Sequence, residues 1–136
     1  MVSTRTAGLA AIAICLVLGG ALRADPLAEQ PRSTVGYPTP DAALAALHAK
    51  PSVEFSTQDG WTIASDPETN TVWSFPPQRD PAYPAVVKRQ MTPAPDGKVA
   101  VQMDVLCSAT KAACDDLVRA FERMNEEAQR QVQGGD

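Results

Sequence analysis

Apolar and polar positions alternate strictly in several stretches of the chain and recur at helical spacing in two others. The first helical stretch follows Tyr37-Pro38. Thr39 is a good N-cap, Pro40 suits the first helical turn, and Asp41 complements the helix dipole. Ala43, Leu44 and Leu47 share one face, Lys50 closes the segment and Pro51 stops it. Alternation then begins at Val53-Glu54-Phe55-Ser56-Thr57 and resumes at Trp61-Thr62-Ile63-Ala64-Ser65, with Gln58-Asp59-Gly60 between them, which is a hairpin.

Two loop lengths fit this hairpin. A two-residue Asp59-Gly60 turn pairs Phe55 with Ala64 and sends Trp61 and Ile63 to the other face. A three-residue loop from Gln58 to Gly60 pairs Phe55 with Ile63 and Thr57 with Trp61. The second unites the apolar side chains, so the apolar match favours it. Asp66-Pro67-Glu68-Thr69-Asn70 reads as a turn, and Thr71-Val72-Trp73-Ser74-Phe75 as a third strand. Its Trp73 and Phe75 are expected on the same face as Trp61 and Ile63.

Residues 76–84, Pro-Pro-Gln-Arg-Asp-Pro-Ala-Tyr-Pro, are too rich in proline for regular structure. A fourth strand runs from Ala85 to Met91, and Asp96-Gly97 marks a turn. The last strand, Val99 to Cys107, alternates cleanly, with Val99, Val101, Met103, Val105 and Cys107 inward. A final helix starts near Ser108 or Thr110. Its apolar stripe is Cys114, Leu117, Val118, Phe121, Met124 and Ala128. The order predicts an α+β fold: a two-layer sandwich in which an antiparallel meander of about five strands is flanked by a short N-terminal helix and an amphipathic C-terminal helix, both on one face.

The beginning of the chain follows another pattern. Arg5 precedes an apolar run from Ala7 to Leu22, and Gly19, Gly20, Ala21 and Ala24 end it. Charge, then apolar run, then small residues is the order of a secretory signal peptide. The run is shorter than the roughly 20 residues of a membrane-spanning helix. Cleavage is expected after Ala21 or Ala24, taking Cys15 with it. The chain thus divides into a signal peptide (1–24), a flexible Pro-containing lead-in (25–38), a single domain (39–132) and a disordered tail (133–136). The expected location is periplasmic or secreted, with no membrane insertion after cleavage.

Charge and cysteine content narrow the chemistry. The 136-residue chain has a net charge of −4, and losing Arg5 and Arg23 makes it more negative. This argues against nucleic acid and anionic membranes as partners. Cys107 and Cys114 remain after export, and an even pair in an oxidising compartment predicts a disulfide. It would pin the last helix to the end of the last strand.

The run from Trp73-Ser74-Phe75 through Pro81-Ala82-Tyr83-Pro84-Ala85-Val86-Val87-Lys88-Arg89, with a strand ending at Cys107 and a helix containing Cys114, resembles small secreted (periplasmic) proteins of Gram-negative bacteria. The resemblance spans roughly residues 40–130. It implies a location and brings no catalytic residues with it.

Candidate site residues are few. Lys88 and Arg89 are adjacent on a strand and point to opposite faces. If Val87 and Met91 face the core, Arg89 lies on their side near the proline-rich loop. There its fork suits a carboxylate or phosphate on a ligand or partner, or a structural pair with Asp80 or Asp104. Tyr83, in the loop beside Asp80, is a typical interface anchor. His48, the only histidine, offers a general base but has no second histidine for a metal site. No cofactor motif and no metal-ligand spacing is present, nor is Gly-x-Ser-x-Gly, a phosphate-binding glycine loop, His-Glu-x-x-His or Cys-x-x-Cys. The expectation is therefore a non-enzymatic binding or interaction module for a periplasmic or envelope component, with Tyr83, Lys88, Arg89 and Asp80 as binding residues. The alternatives are a secreted inhibitor using loop 76–84 and a small enzyme using His48 with an acidic partner.

Overall fold

The computed structural model describes residues 33–134. The expected signal peptide, its cleavage sites and Cys15 lie outside these residues, as do residues 25–32 of the lead-in and 135–136 of the tail. The elements are α1 (Pro40–His48), β1 (Glu54–Gln58), β2 (Trp61–Asp66), β3 (Thr71–Phe75), β4 (Ala85–Pro93), β5 (Val99–Cys107) and α2 (Lys111–Gln133). The five strands form one antiparallel sheet in sequence order. The α+β class and the meander with its two flanking helices are thus as the sequence predicts.

Capping chemistry sets both helix starts. The Thr39 hydroxyl accepts from the Ala42 amide at 3.1 Å, and the Thr110 hydroxyl accepts from the Ala113 amide at 3.3 Å. Each satisfies an amide that the first helical turn leaves without an intrahelical partner. Chain packing begins before α1. Val35 is buried in the core and Tyr37 packs against it, so the segment read as a lead-in is already part of the domain from Ser33.

Three readings of the sheet are corrected. The β1–β2 loop has two residues, not three: Phe55 pairs with Ala64, Thr57 with Thr62 and Gln58 with Trp61. Asp59 (φ 50°) and Gly60 (φ 84°) both have positive φ, the conformation of a type I′ turn, whose twist matches that of the flanking strands. Turn chemistry therefore overrides the apolar match. Second, Trp73 and Phe75 do not share a face with Trp61 and Ile63. Ala64 opposes Trp73, which places Phe55, Ala64, Trp73 and Phe75 on one side of the sheet, with Trp61 and Ile63 on the other.

Third, the helices take opposite faces. Ala43 and Leu47 of α1 pack with Val35, Ala64, Trp73, Phe75 and Val86. Leu117 and Phe121 of α2 pack with Ala82, Ala85 and Val87. Consecutive residues Ala85, Val86 and Val87 alternate between these clusters, as successive strand residues must. With a helix on each face, either side of the sheet offers the aromatic residues a layer to pack against, and a turn-driven register is stable.

A bridge between Cys107 and Cys114 ties the end of β5 to the first turns of α2, with Cα atoms 5.8 Å apart. The α2 stripe is buried at Leu117 and Phe121 but open at Met124 and Ala128. Helix continues through Gln133, and Gly134 is its C-cap.

The far side of the molecule is fastened by Asp66, which is only 1% exposed. Its Oδ2 accepts from Lys50 Nζ at 3.0 Å and its Oδ1 from the Glu68 amide at 3.2 Å, joining the end of α1 to the β2–β3 turn. The hydrogen bond from Lys50 outweighs burial and holds the Asp66 carboxyl below its ordinary 3.8. The unfolded chain then takes up the proton more readily than the folded one. This contribution is complete above the unfolded pKa and is lost as pH falls through the lower folded pKa. Asp66→Asn is expected to lower stability at pH 7 and to flatten the loss of stability below about pH 4. Urea denaturation at stepped pH measures both, and an unchanged acid slope in the variant contradicts the assignment.

Candidate functional site

Alternation along β4 decides where its cations go. Val87 and Arg89 face α2, while Val86 and Lys88 face α1. Under α2, Arg89 borders a cleft of about 560 Å³. Trp61 and Ile63 of β2 and Ser74 of β3 form its sheet side, and Leu117 and Phe121 form its helix side. One end is closed by the proline-rich loop through Asp80, Pro81 and Ala82.

The Arg89 guanidinium lies 5.2 Å from the centre of the Phe121 ring, and its Nη1 donates to Met124 Sδ at 3.5 Å. Its Nε is buried without a hydrogen-bond partner. Burial lowers its pKa from the ordinary arginine value, although a guanidinium stays protonated in water at neutral pH. No ion pair to Arg89 occurs among the described residues. The structural pairs considered from sequence do not form. Asp104 is the cross-strand partner of Lys88 and lies on the α1 side, and Asp80 Oδ1 accepts from the Ala82 amide at 2.8 Å.

Ser74 adds a second group without a partner. It is 1% exposed, and its hydroxyl has no hydrogen-bond partner. Buried hydroxyls in folded proteins are nearly always bonded. Val72 is the Cα partner of Arg89 and Val87 that of Ser74, so the two side chains are diagonal neighbours on one face, about 7–8 Å apart at the backbone. Trp61 and Phe121 line the cleft as a tilted aromatic pair, with centroids 5.8 Å apart. The cleft therefore combines a largely apolar lining, one half-buried cation, one orphaned hydroxyl and three aspartates, Asp59, Asp80 and Asp116.

Of the four binding residues read from sequence, Arg89 and Asp80 come together in this cleft. Lys88 falls on the opposite face. Tyr83 is 38% exposed on the loop and is not among the residues lining the cleft. The loop folds onto the body: Pro76 and Ala82 are buried, Tyr83 donates its amide to the Asp80 carbonyl at 3.0 Å, and Ser108 donates to the Pro84 carbonyl at 2.9 Å. Gln78, Arg79, Pro81 and Tyr83 remain exposed along it. His48 is exposed at the end of α1, its ring stacked on Phe55 with centroids 3.9 Å apart. It makes no ion pair with a carboxylate among the described residues, and it lies away from the cleft.

Ser74, Trp61 and Phe121 were not singled out as site residues from sequence. The signal for Ser74 was there: a small hydroxyl in an otherwise apolar-rich strand. It means little until the register places it beside Arg89. A second cleft of about 530 Å³, between Met91, Val99 and Val101 and the end of α2, contains no orphaned buried polar atom. Among the described residues no group of three or more His, Cys, Asp or Glu side chains is placed to hold a metal ion. No helix among them is long and apolar enough to cross a membrane. Comparison of the chain with protein-family models, curated proteins and solved structures gives no match.

Proposed function

We propose that this is a non-enzymatic binding module of the periplasm or extracellular space, and that it captures a protein or envelope component through the cleft between α2 and the sheet. One observation carries the reading. Arg89 is a half-buried cation in a largely apolar cleft, and none of the aspartates along that cleft forms an ion pair with it. A structural arginine in that position ordinarily has an acidic partner, because burying part of a cation without one is unfavourable. An anionic group from outside supplies what the fold lacks. The Cys107–Cys114 bridge supports a working location where thiols are oxidised. The cleft also lacks the paired nucleophile and base that acyl or phosphoryl chemistry requires, since its orphaned hydroxyl has no histidine beside it.

A photo-crosslinking side chain placed at Ala120, on the exposed rim of the cleft, tests this in the producing cell. The expected result is a discrete adduct that Arg89→Met removes and that the same probe at Ala45, on α1, does not form. An adduct indifferent to Arg89→Met, or equal from both positions, contradicts the reading.

A further inference from the structure

Resting on that reading, we infer that the cleft takes a single carboxylate carried on an apolar, ring-sized body. The source is either a free organic acid or the C-terminal residue of a polypeptide. The polar end of the cleft sets the charge. Arg89 is the one cation among the lining residues, while Asp59, Asp80 and Asp116 are also among them. Asp116 is paired with Arg119, which leaves Asp59 and Asp80 as the uncompensated carboxylates along the lining, so a dianion gains one guanidinium against two like charges and a monoanion is the better match. A purely apolar ligand leaves the Arg89 Nε and the Ser74 Oγ unsatisfied, and a neutral amide offers an acceptor but no charge to oppose the guanidinium, so its hydrogen bonds there are weaker than a carboxylate's. A carboxylate has two oxygens. One accepts from the Arg89 fork and the other from the Ser74 hydroxyl, which its diagonal position on the neighbouring strand allows.

The remainder of the cleft sets the body. Trp61, Ile63, Leu117 and Phe121 give apolar and aromatic walls. A cavity of about 150 Å³ already holds a benzene ring, so 560 Å³ accommodates a ring, a short linker and the carboxylate. The volume is in the range of small-ligand sites, about 300–1,000 Å³. Phe121 is buried and its ring already carries the Arg89 guanidinium, so the half-buried Trp61 is the ring with surface left for a ligand ring.

Calorimetric titration of the purified protein tests the inference with five probes: 3-phenylpropionate, 3-phenylpropionamide, phenyl phosphate, and a short peptide ending in Phe in two forms, with a free and with an amidated C-terminus. The acid is expected to bind at least about tenfold more tightly than the amide. Arg89→Met is expected to remove that preference, Arg89→Lys to recover part of it, and Ser74→Ala to weaken binding severalfold. Lys88→Met, on the other face, is expected to leave binding unchanged. Far-ultraviolet circular dichroism establishes that each variant is folded. Tighter binding of the free-terminus peptide than of the small acid makes a chain terminus the source, and the reverse makes it a free acid. Either outcome supports the shared chemistry. Equal binding of acid and amide, or undiminished binding by Arg89→Met, overturns it. Preference for phenyl phosphate that depends on Arg89 overturns the carboxylate assignment and leaves the cleft as the site. Binding of none of the probes overturns the ligand class, while the crosslink at Ala120 independently judges the cleft.

Discussion

Phe121→Ala is expected to destabilise the protein by about 3–5 kcal/mol, a large share of the roughly 5–15 kcal/mol that holds a small domain together. Phe121 is 7% exposed and packs between Leu117, Ala82, Ala85 and Val87. Its removal leaves a void that the surrounding strands, fixed by ladder hydrogen bonds, cannot fill. The damage extends to the cleft. Trp61 loses its tilted partner and Arg89 loses the ring beneath its guanidinium. Urea denaturation measures the stability, and the Trp61 indole resonance measures the local change. A loss below about 1 kcal/mol would mean that α2 is not docked by this ring.

Leu47→Ala is expected to cost about 2–5 kcal/mol on the other face. Leu47 is fully buried, and α1 is a nine-residue helix, too short to persist without its packed stripe. The surroundings of Trp73 and Phe75 change because they share this core, while Trp61 and the cleft are screened by the sheet. In the folded variant the ligand response is expected to survive. Denaturation and the two indole resonances check both halves of this prediction. Loss of the Trp61 response with Leu47→Ala would contradict the assignment of the helices to opposite faces.

The elements themselves were legible because their signals are local. Thr39-Pro40 and Thr110 mark helix starts through capping, strand alternation defines the strands, and Asp96-Gly97 marks a turn. The pairing of Cys107 with Cys114 was also legible, as the two remaining cysteines fall at the end of a strand and in the helix that follows. What sequence did not show was which way the faces point. An apolar-matching argument assumes that only one face of the sheet is buried. Here each face carries a helix, so either register places apolar side chains beneath one, and the positive φ angles of Asp59 and Gly60 decide between them. That single-residue difference moves Trp61 and Ile63 to the α2 side and so creates the aromatic wall of the cleft. The position of Arg89 beside the proline-rich loop was readable from its phase with Val87. The missing carboxylate partner and the orphaned Ser74 hydroxyl are properties of the packed molecule, and no local pattern encodes them.

The central claim is that Arg89 stands ready beneath α2 to pair with an anionic group from outside. The most direct measurement is the Arg89 Nε–H resonance, assigned by its disappearance in Arg89→Lys and followed while 3-phenylpropionate is added. A saturable shift of this resonance, with the Trp61 indole moving at the same midpoint and the Trp73 indole stationary, is the predicted result. An Arg89 signal that stays fixed through saturating acid, or that already carries the shift of a carboxylate-paired guanidinium before any is added, would contradict the claim.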